Sequence, residues 1–253
     1  MLDTTGKPAL MMDGLTVDFG GFRAVDGFST VIDDGELRVI LGPNGAGKTT
    51  MMDLISGRTR STGGHVFLYG EEITNRAEHH IARAGVGRKF QIPSIFRELT
   101  VRQNLEVAAG DEPGVFANLR LGLGSEWRTA IERVIELTRL GDVLGQRAGD
   151  LAHGQMQWLE LGMLLVQDAR VILLDEPTAG MTQAETLRTS EIINVLKGQH
   201  TIVVVEHDMA FVREIAEKIT VMHLGKMLAE GPIAKIETDP AVQEAYLGSG
   251  GIH

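Results

Sequence analysis

Residues Gly42, Pro43, Asn44, Gly45, Ala46, Gly47, Lys48, Thr49 and Thr50 fit the pattern G-x-x-x-x-G-K-[ST] in full. A loop can wrap a polyphosphate only if its backbone N–H groups point inward, and glycine reaches the required φ > 0 without steric cost. The pattern places Lys48 on the β- and γ-phosphates of a nucleotide. It offers the Thr49 hydroxyl to Mg²⁺ and turns the positive end of the following helix toward the anion. Such a cradle needs a strand before it and a helix after it. The apolar run Leu37–Leu41 reads as a buried strand and Thr49–Gly57 as a helix, so the fold class is α/β, built around that strand.

Two later runs, Val171–Leu174 and Thr201–Val205, are continuous apolar stretches followed by helical segments, the pattern of parallel strands covered on both faces. The first delivers Asp175 and Glu176 to its C-terminal end, the edge where open α/β sheets bind ligands. Asp175 is the expected Mg²⁺ partner, since Mg²⁺ keeps several waters and takes few protein carboxylates. Glu176 is the expected general base beside the γ-phosphate. A solvated strand end is the bland reading of an isolated Asp-Glu pair, but the P-loop upstream and Pro177-Thr178 downstream weigh against it.

From Ala9 to Asp34 the sequence reads as short strands broken at Gly20-Gly21 and ended by Asp33-Asp34-Gly35. Between about 95 and 165 strand signals fade. Glu126–Leu140 and Met156–Val166 carry helical periodicity there, with Met156, Leu159, Met163 and Val166 on one face, a packing face by this reading. Loop signals fall at Gly110–Gly114 and Gly122–Gly124. Ile219–Gly231 reads as a hairpin around Gly225, followed by a short acidic helix with Tyr246.

The formal charge of −10, from 34 acidic and 24 Lys and Arg side chains, argues against tight binding along a nucleic-acid backbone. The absence of cysteine excludes disulfides, thiolate nucleophiles and cysteine metal sites, and is compatible with a reducing cytoplasm. No apolar stretch approaches the ~20 residues that span a bilayer, and acidic Asp3 stands where a leader carries basic residues, so the chain reads as soluble and unexported by its own signals.

Leu151-Ala152-His153-Gly154-Gln155 lies just ahead of the Asp175 strand, where ATP-binding cassette proteins carry an L-S-G-G-Q signature. The chain resembles an ABC transporter ATPase subunit over essentially its whole length. The resemblance implies a P-loop NTPase cassette over 8–253. Within it are expected a RecA-like core with an N-terminal antiparallel β subdomain, at about 8–92 and 166–253, and an inserted α-helical signature subdomain at about 93–165. It implies ATP and Mg²⁺ as cofactors. Gln91 becomes the glutamine that senses Mg²⁺ and the attacking water, His207 the switch histidine at the γ-phosphate, and Phe19, or less favourably Phe22, the ring that stacks on adenine. Two cassettes of this family pack head to tail, so the signature of one subunit meets the γ-phosphate held by the P-loop of the other. The implied partners are transmembrane permease subunits, a second unlike ATPase subunit or a second copy, and, indirectly, a periplasmic binding protein. No nucleic acid is expected, and the implied location is cytoplasmic, on the inner face of a bacterial plasma membrane. Ile92, Ile95 and Phe96 are groove-lining candidates for the permease contact, with core packing an equal reading.

Two positions depart from the family pattern. Ala152 replaces the signature serine and removes a hydroxyl contact to phosphate, and Thr182, in Ala179-Gly180-Met181-Thr182, stands where the family usually has Asp. The site formed with this signature is therefore expected to be weaker or to depend on an unlike partner. Gly87–Pro93 and Glu244–Gly248 resemble subunits of the branched-chain amino acid uptake group. Within that group 153–155, 157–165 and 179–182 look closest to a urea importer's ATPase, which implies import of urea or a short-chain amide, with branched-chain amino acid import as the second reading. A soluble ABC ATPase acting on ribosomes or DNA and a P-loop kinase share parts of the pattern. The single cassette, the lack of sustained heptads, the signature and His207 weigh against both.

Overall fold

A computed structural model describes residues 7–89, 95–110 and 125–247. Two twelve-residue strands, β1 (Pro8–Phe19) and β2 (Phe22–Asp33), open the chain as an antiparallel hairpin turning at Gly20 and Gly21. The break at Gly20-Gly21 and the end at Asp33 fall where the sequence places them, but the strands are longer than it suggests. The hairpin runs on through register shifts, including one between Met12 and Leu15, because bulges absorb the interruptions that a strict alternation would not tolerate. The P-loop strand β3 (Leu37–Leu41) leads into α1 (Lys48–Ile55). Then come β4 (Gly63–Leu68), β5 (Glu71–Glu72), α2 (Glu78–Arg83) and β6 (Val86–Lys89). A helical stretch follows, with α3 (Val101–Ala108), α4 (Ser125–Thr138) and α5 (His153–Val166). The chain then runs through β7 (Val171–Asp175), α6 (Gln183–Leu196), β8 (Thr201–Val205), α7 (Met209–Ile215), β9 (Lys218–His223) and β10 (Lys226–Gly231), ending in α8 (Ile233–Thr238) and α9 (Pro240–Leu247).

These strands form two sheets. The antiparallel one has the order β2-β1-β4-β5, and the larger one β10-β9-β3-β8-β7-β6. In the larger sheet β3 pairs in parallel with β8 on one side and β9 on the other, and β8 pairs in parallel with β7. Every residue of β3, β7 and β8 is buried, which is why their sequences are nearly unbroken apolar runs. The carboxyl ends of β3, β8 and β7 therefore lie side by side on one edge.

By its contacts the chain separates into two compact units, Met1–Gly87 with Arg170–Glu176 and Ile193–His253, and Arg88–Ala169 with Pro177–Ile192. The core of the second unit includes Leu105, Ile131, Val134, Leu159, Met163 and Val166, with Met156 packed against it. The periodic face of α5 is thus a packing face. Ile95 also packs against this core, while Phe96 is exposed. Gln91 and Ile92, and the loop signals at 111–114 and 122–124, lie outside the described residues.

Arg38 interrupts the apolar run of β3 and is nevertheless fully buried. Its guanidinium donates to Glu36 at 2.6 Å, Glu230 at 2.5 Å, Thr220 at 2.9 Å and both Thr30 and the Val31 carbonyl at 3.0 Å. These partners come from β2, β9 and β10 and from the turn before β3, so one side chain ties the two sheets of the first unit together. Burial pushes the Glu230 carboxyl upward, but the charge of Arg38 with hydrogen bonds from Thr30, Lys218 and Thr220 outweighs it. The group ends below its ordinary value. A carboxylate depressed in the folded state contributes stability above its unfolded pKa, and that contribution is lost as pH falls through the folded value. Arg38→Met takes the cation from Glu36 and leaves Glu230 with Lys218, at 3.0 Å, and is expected to lower unfolding free energy by about 3–5 kcal/mol near neutrality. In urea melts, the gap to wild type should narrow as pH drops below about 4; a gap that stays constant with pH would count against the Glu230 linkage.

Candidate active site

The P-loop joins the end of β3 to α1 and is fitted by glycine for two different reasons. Gly45 and Gly47 have φ of +79° and +99°, the left-handed region that glycine enters freely. Gly42 does not need that freedom. A Cβ there would stand 2.4 Å from the Met222 carbonyl oxygen, so its reason is the close approach of β9. Gly47 stands at the N-cap of α1 with no side-chain capping bond. The helix thus presents its first amides without an internal anion, as a phosphate site requires.

Lys48 is buried, and its ammonium donates to the carbonyls of Gly42 at 2.7 Å and Pro43 at 3.1 Å. Burial pushes its pKa below the ordinary lysine value, and the charges of Glu176, Asp175 and Glu206 offset this only in part. A polyanion in the loop reverses the imbalance by giving the buried cation a close counter-charge.

Asp175 is the last residue of β7 and 2 % exposed. Glu176 follows with φ +46°, a conformation that costs a non-glycine residue of the order of 1–3 kcal/mol and clusters at functional sites. Its amide donates to the Val205 carbonyl at 2.9 Å, fixing it beside the end of β8. There Oε1 of Glu176 lies 3.4 Å from Nδ1 of His207, whose side chain is 60 % exposed. The loop carrying His207 is held from both sides. Glu206 Oε2 accepts from the His207 amide at 3.0 Å, and Asp208 Oδ1 caps α7 by accepting from Ala210 at 2.8 Å and Phe211 at 3.3 Å.

Glu206 is absent from the roles read in the sequence, yet it is 1 % exposed and acts on Lys48. The signal for it is an acid directly after a wholly buried strand, as at Glu176. The donors fit Mg²⁺ by type: the exposed Thr49 and the carboxylate of Asp175 are hard oxygen donors, with phosphate and water left to complete the shell. Phe19 is 53 % exposed at the tip of the β1–β2 hairpin, where it pairs with Phe22, itself 66 % exposed. Both rings are open to stacking.

The signature residues open α5. Leu151 is buried in the core of the second unit, and Ala152 is the N-cap residue. Its amide donates to Gln155 Oε1 at 3.1 Å, but alanine has no oxygen to return the bond. A ring nitrogen of His153, Nε2, donates to the Ala179 carbonyl at 3.0 Å, and Gly154 is buried.

A sequence profile described as ABC transporter matches residues 25–179, and one described as branched-chain amino acid ATP-binding cassette transporter matches residues 226–252. The chain is 37 % identical over 254 residues to the high-affinity branched-chain amino acid transport ATP-binding protein BraF of Pseudomonas aeruginosa, covering 96 % of this chain and 98 % of that one. It is 36 % identical over 252 residues to the corresponding LivG protein of Escherichia coli K12, with the same coverage. A crystal structure of an ABC transporter's ATP-binding cassette in its ADP conformation superposes with a TM-score of 0.82 at 29 % identity, covering 95 % of this chain and 99 % of that one. A nucleotide-free cassette superposes with a TM-score of 0.81 at 29 % identity, covering 94 % and 98 %. With the P-loop, the acids at the end of β7 and His207 gathered on one sheet edge, the chain belongs to the ABC transporter family, as an ATP-hydrolysing cassette.

Proposed function

We propose that this cassette powers import of branched-chain amino acids through membrane permease subunits. The observation that carries the reading is the match of residues 226–252 to the branched-chain amino acid cassette profile, in a chain aligned almost end to end with BraF and LivG. Urea or amide import, the first expectation from sequence, finds no support in these relatives. The residues that suggested it have packing work to do. Leu159 and Met163 fill the core of the second unit, Trp158 donates to Thr189 at 3.0 Å, and a Cβ on Gly162 would stand 2.8 Å from Val134. Their likeness to one transporter reports how α5 packs, not what is carried.

In this reading ATP lies on the P-loop with Phe19 on its adenine and Lys48 between its β- and γ-phosphates. Mg²⁺, when bound through Thr49, Asp175 and Gln91, neutralises charge on the phosphates. Glu176 accepts a proton from water as its oxygen bonds to the γ-phosphorus, and the bond to ADP's bridging oxygen breaks with its electron pair leaving on ADP. His207 donates to a γ-phosphate oxygen, and the signature of a second cassette, residues Leu151 to Gln155 in this chain's own case, closes the site from the other side. Among the described residues no helix is long and apolar enough to cross a membrane. In this reading the chain acts on membrane-spanning subunits from the surface, with a periplasmic binding protein presenting cargo to them.

The test is uptake in cells lacking this chain. Transport of labelled leucine, isoleucine and valine is expected to fall at least tenfold and to return with the wild-type chain, while urea uptake holds. Loss of urea uptake with branched-chain uptake intact would return the first expectation. Affinity capture of the chain from solubilised native membranes with Mg-ATP should recover multi-span permeases; recovery of ribosomal or DNA-associated proteins alone would overturn transport.

A further inference from the structure

The N-terminus of α5 lacks a side-chain cap of its own, because Ala152 has no oxygen, yet it is not without an anion. The Gly154 amide donates to Oε1 of Glu185 at 3.3 Å, from the first turn of α6. The other oxygen, Oε2, accepts from both the amide and the hydroxyl of Thr182, each at 2.8 Å. Thr182 thus forms a capping box with Glu185, completed by the Glu185 amide approaching the Thr182 hydroxyl at 3.4 Å. Gly154 is shaped to this partner. A Cβ there would stand 2.5 Å from Glu185 Oε1 and 2.8 Å from its carboxyl carbon. The bond from His153 to the Ala179 carbonyl ties the same two segments a second time. Thr182, one departure from the family pattern, therefore shares one carboxylate with the helix start that the other, Ala152, leaves without a side-chain cap.

We propose that Glu185 is an internal counter-anion that fills the signature's backbone donor in the ATP-free subunit and is displaced by the γ-phosphate held on the opposing cassette. The role rests on the shared-site reading above. Two anions cannot share one amide, and like charges repel, so the Glu185 carboxylate competes with ATP for the signature. Its departure frees Oε1 while Oε2 stays on Thr182, so phosphate arrival at Gly154 loosens the 179–182 turn from α5. The amide and hydroxyl of Thr182, the Gly154 amide and the charge of His153 hold the carboxyl below its ordinary value, which keeps the competitor ionised. Glu185 is a positioning residue in this scheme, acting through the Gly154 amide.

Glu185→Gln keeps the capping box, since glutamine serves at this position, and removes the charge. In the transporter assembled with its permease subunits, it is expected to lower the apparent KM for ATP about three- to tenfold, with kcat changed less than twofold and the unfolding midpoint unaltered. Glu185→Ala should also lower KM but, losing the cap, should lower the unfolding midpoint as well. An unchanged or raised KM in a normally folded Glu185→Gln transporter overturns the role. A parallel measurement uses the Glu176→Gln transporter, in which ATP should allow a cysteine cross-link between the P-loop of one cassette and the signature of the other. Absence of ATP-dependent cross-linking overturns the shared site and this role with it. Cross-linking whose ATP dependence ignores Glu185→Gln overturns the role alone.

Discussion

Glu176→Gln is expected to bind ATP with wild-type affinity and to hydrolyse it at least tenfold, and up to about 10⁴-fold, more slowly, the range of a lost general base. The upper part of that range corresponds to roughly 3–5 kcal/mol of barrier. The substitution is a clean one because glutamine keeps the shape and the left-handed backbone of a residue at φ +46°. It also keeps an acceptor toward His207, 3.4 Å away in the wild type. What disappears is the capacity to take a proton from water. Phosphate release by the assembled transporter measures the loss, and fluorescent-nucleotide titration measures the binding that should survive it. Turnover above a tenth of wild type would assign the base elsewhere, with buried Glu206 the next residue to replace.

Gly47→Ala is expected to abolish nucleotide binding by a different physical route. The added Cβ would stand 2.2 Å from the Ala24 carbonyl oxygen and 3.5 Å from the Cα of Gly225, at a φ of +99°. Backbone atoms of β2 and of the β9–β10 turn cannot rotate away as a side chain can, so the loop itself must shift. A hundredfold loss of ATP affinity is a conservative expectation, equal to about 2.7 kcal/mol. Gly45→Ala is the informative companion. At φ +79° it meets nothing within 4 Å, so without nucleotide it should lose only the roughly 1–2 kcal/mol of a left-handed alanine. Thermal unfolding of the two variants without ATP separates the effects. Equal destabilisation, or Gly47→Ala binding ATP within threefold of wild type, would show that the Ala24 contact does not limit the loop.

The parts of this protein legible in sequence are those whose cause is local or periodic. The P-loop announces itself by spacing, and β7 and β8 by their continuous burial. The packing face of α5 shows in the three- and four-residue steps from Met156 to Val166. What sequence hides is contact across distance. Arg38 looks like an accident in an apolar run until Thr220 and Glu230, 182 and 192 residues away, supply its acceptors. Glu185 belongs to no sequence motif, and only the fold brings it to Gly154, 31 residues upstream. The first glycine of the P-loop is legible as a requirement but not for its reason, which is the passage of β9 against Gly42 rather than a special φ. The cargo is written less clearly still: residues in α5 that also pack the core resemble a urea importer's ATPase, while residues 226–252 carry the likeness to branched-chain amino acid cassettes.

The placement of β3 between β8 and β9 has a consequence for how the chain is made. The strand that ends in the P-loop leaves the ribosome well before either neighbour, and the second of them is not complete until residue 223 has been added. At about 5–20 residues per second the interval is roughly 10–40 s. Until residue 205 completes β8, that apolar strand waits with both hydrogen-bonding edges unpaired, and one edge stays open until β9 follows, the condition in which nascent chains associate wrongly. Ribosome-bound chains stalled before β8 should neither retain ATP nor resist protease at residues 37–55, and they should depend on a holding chaperone. The nucleotide site thus depends on strands made long after the P-loop itself, β8 and β9 closing on β3.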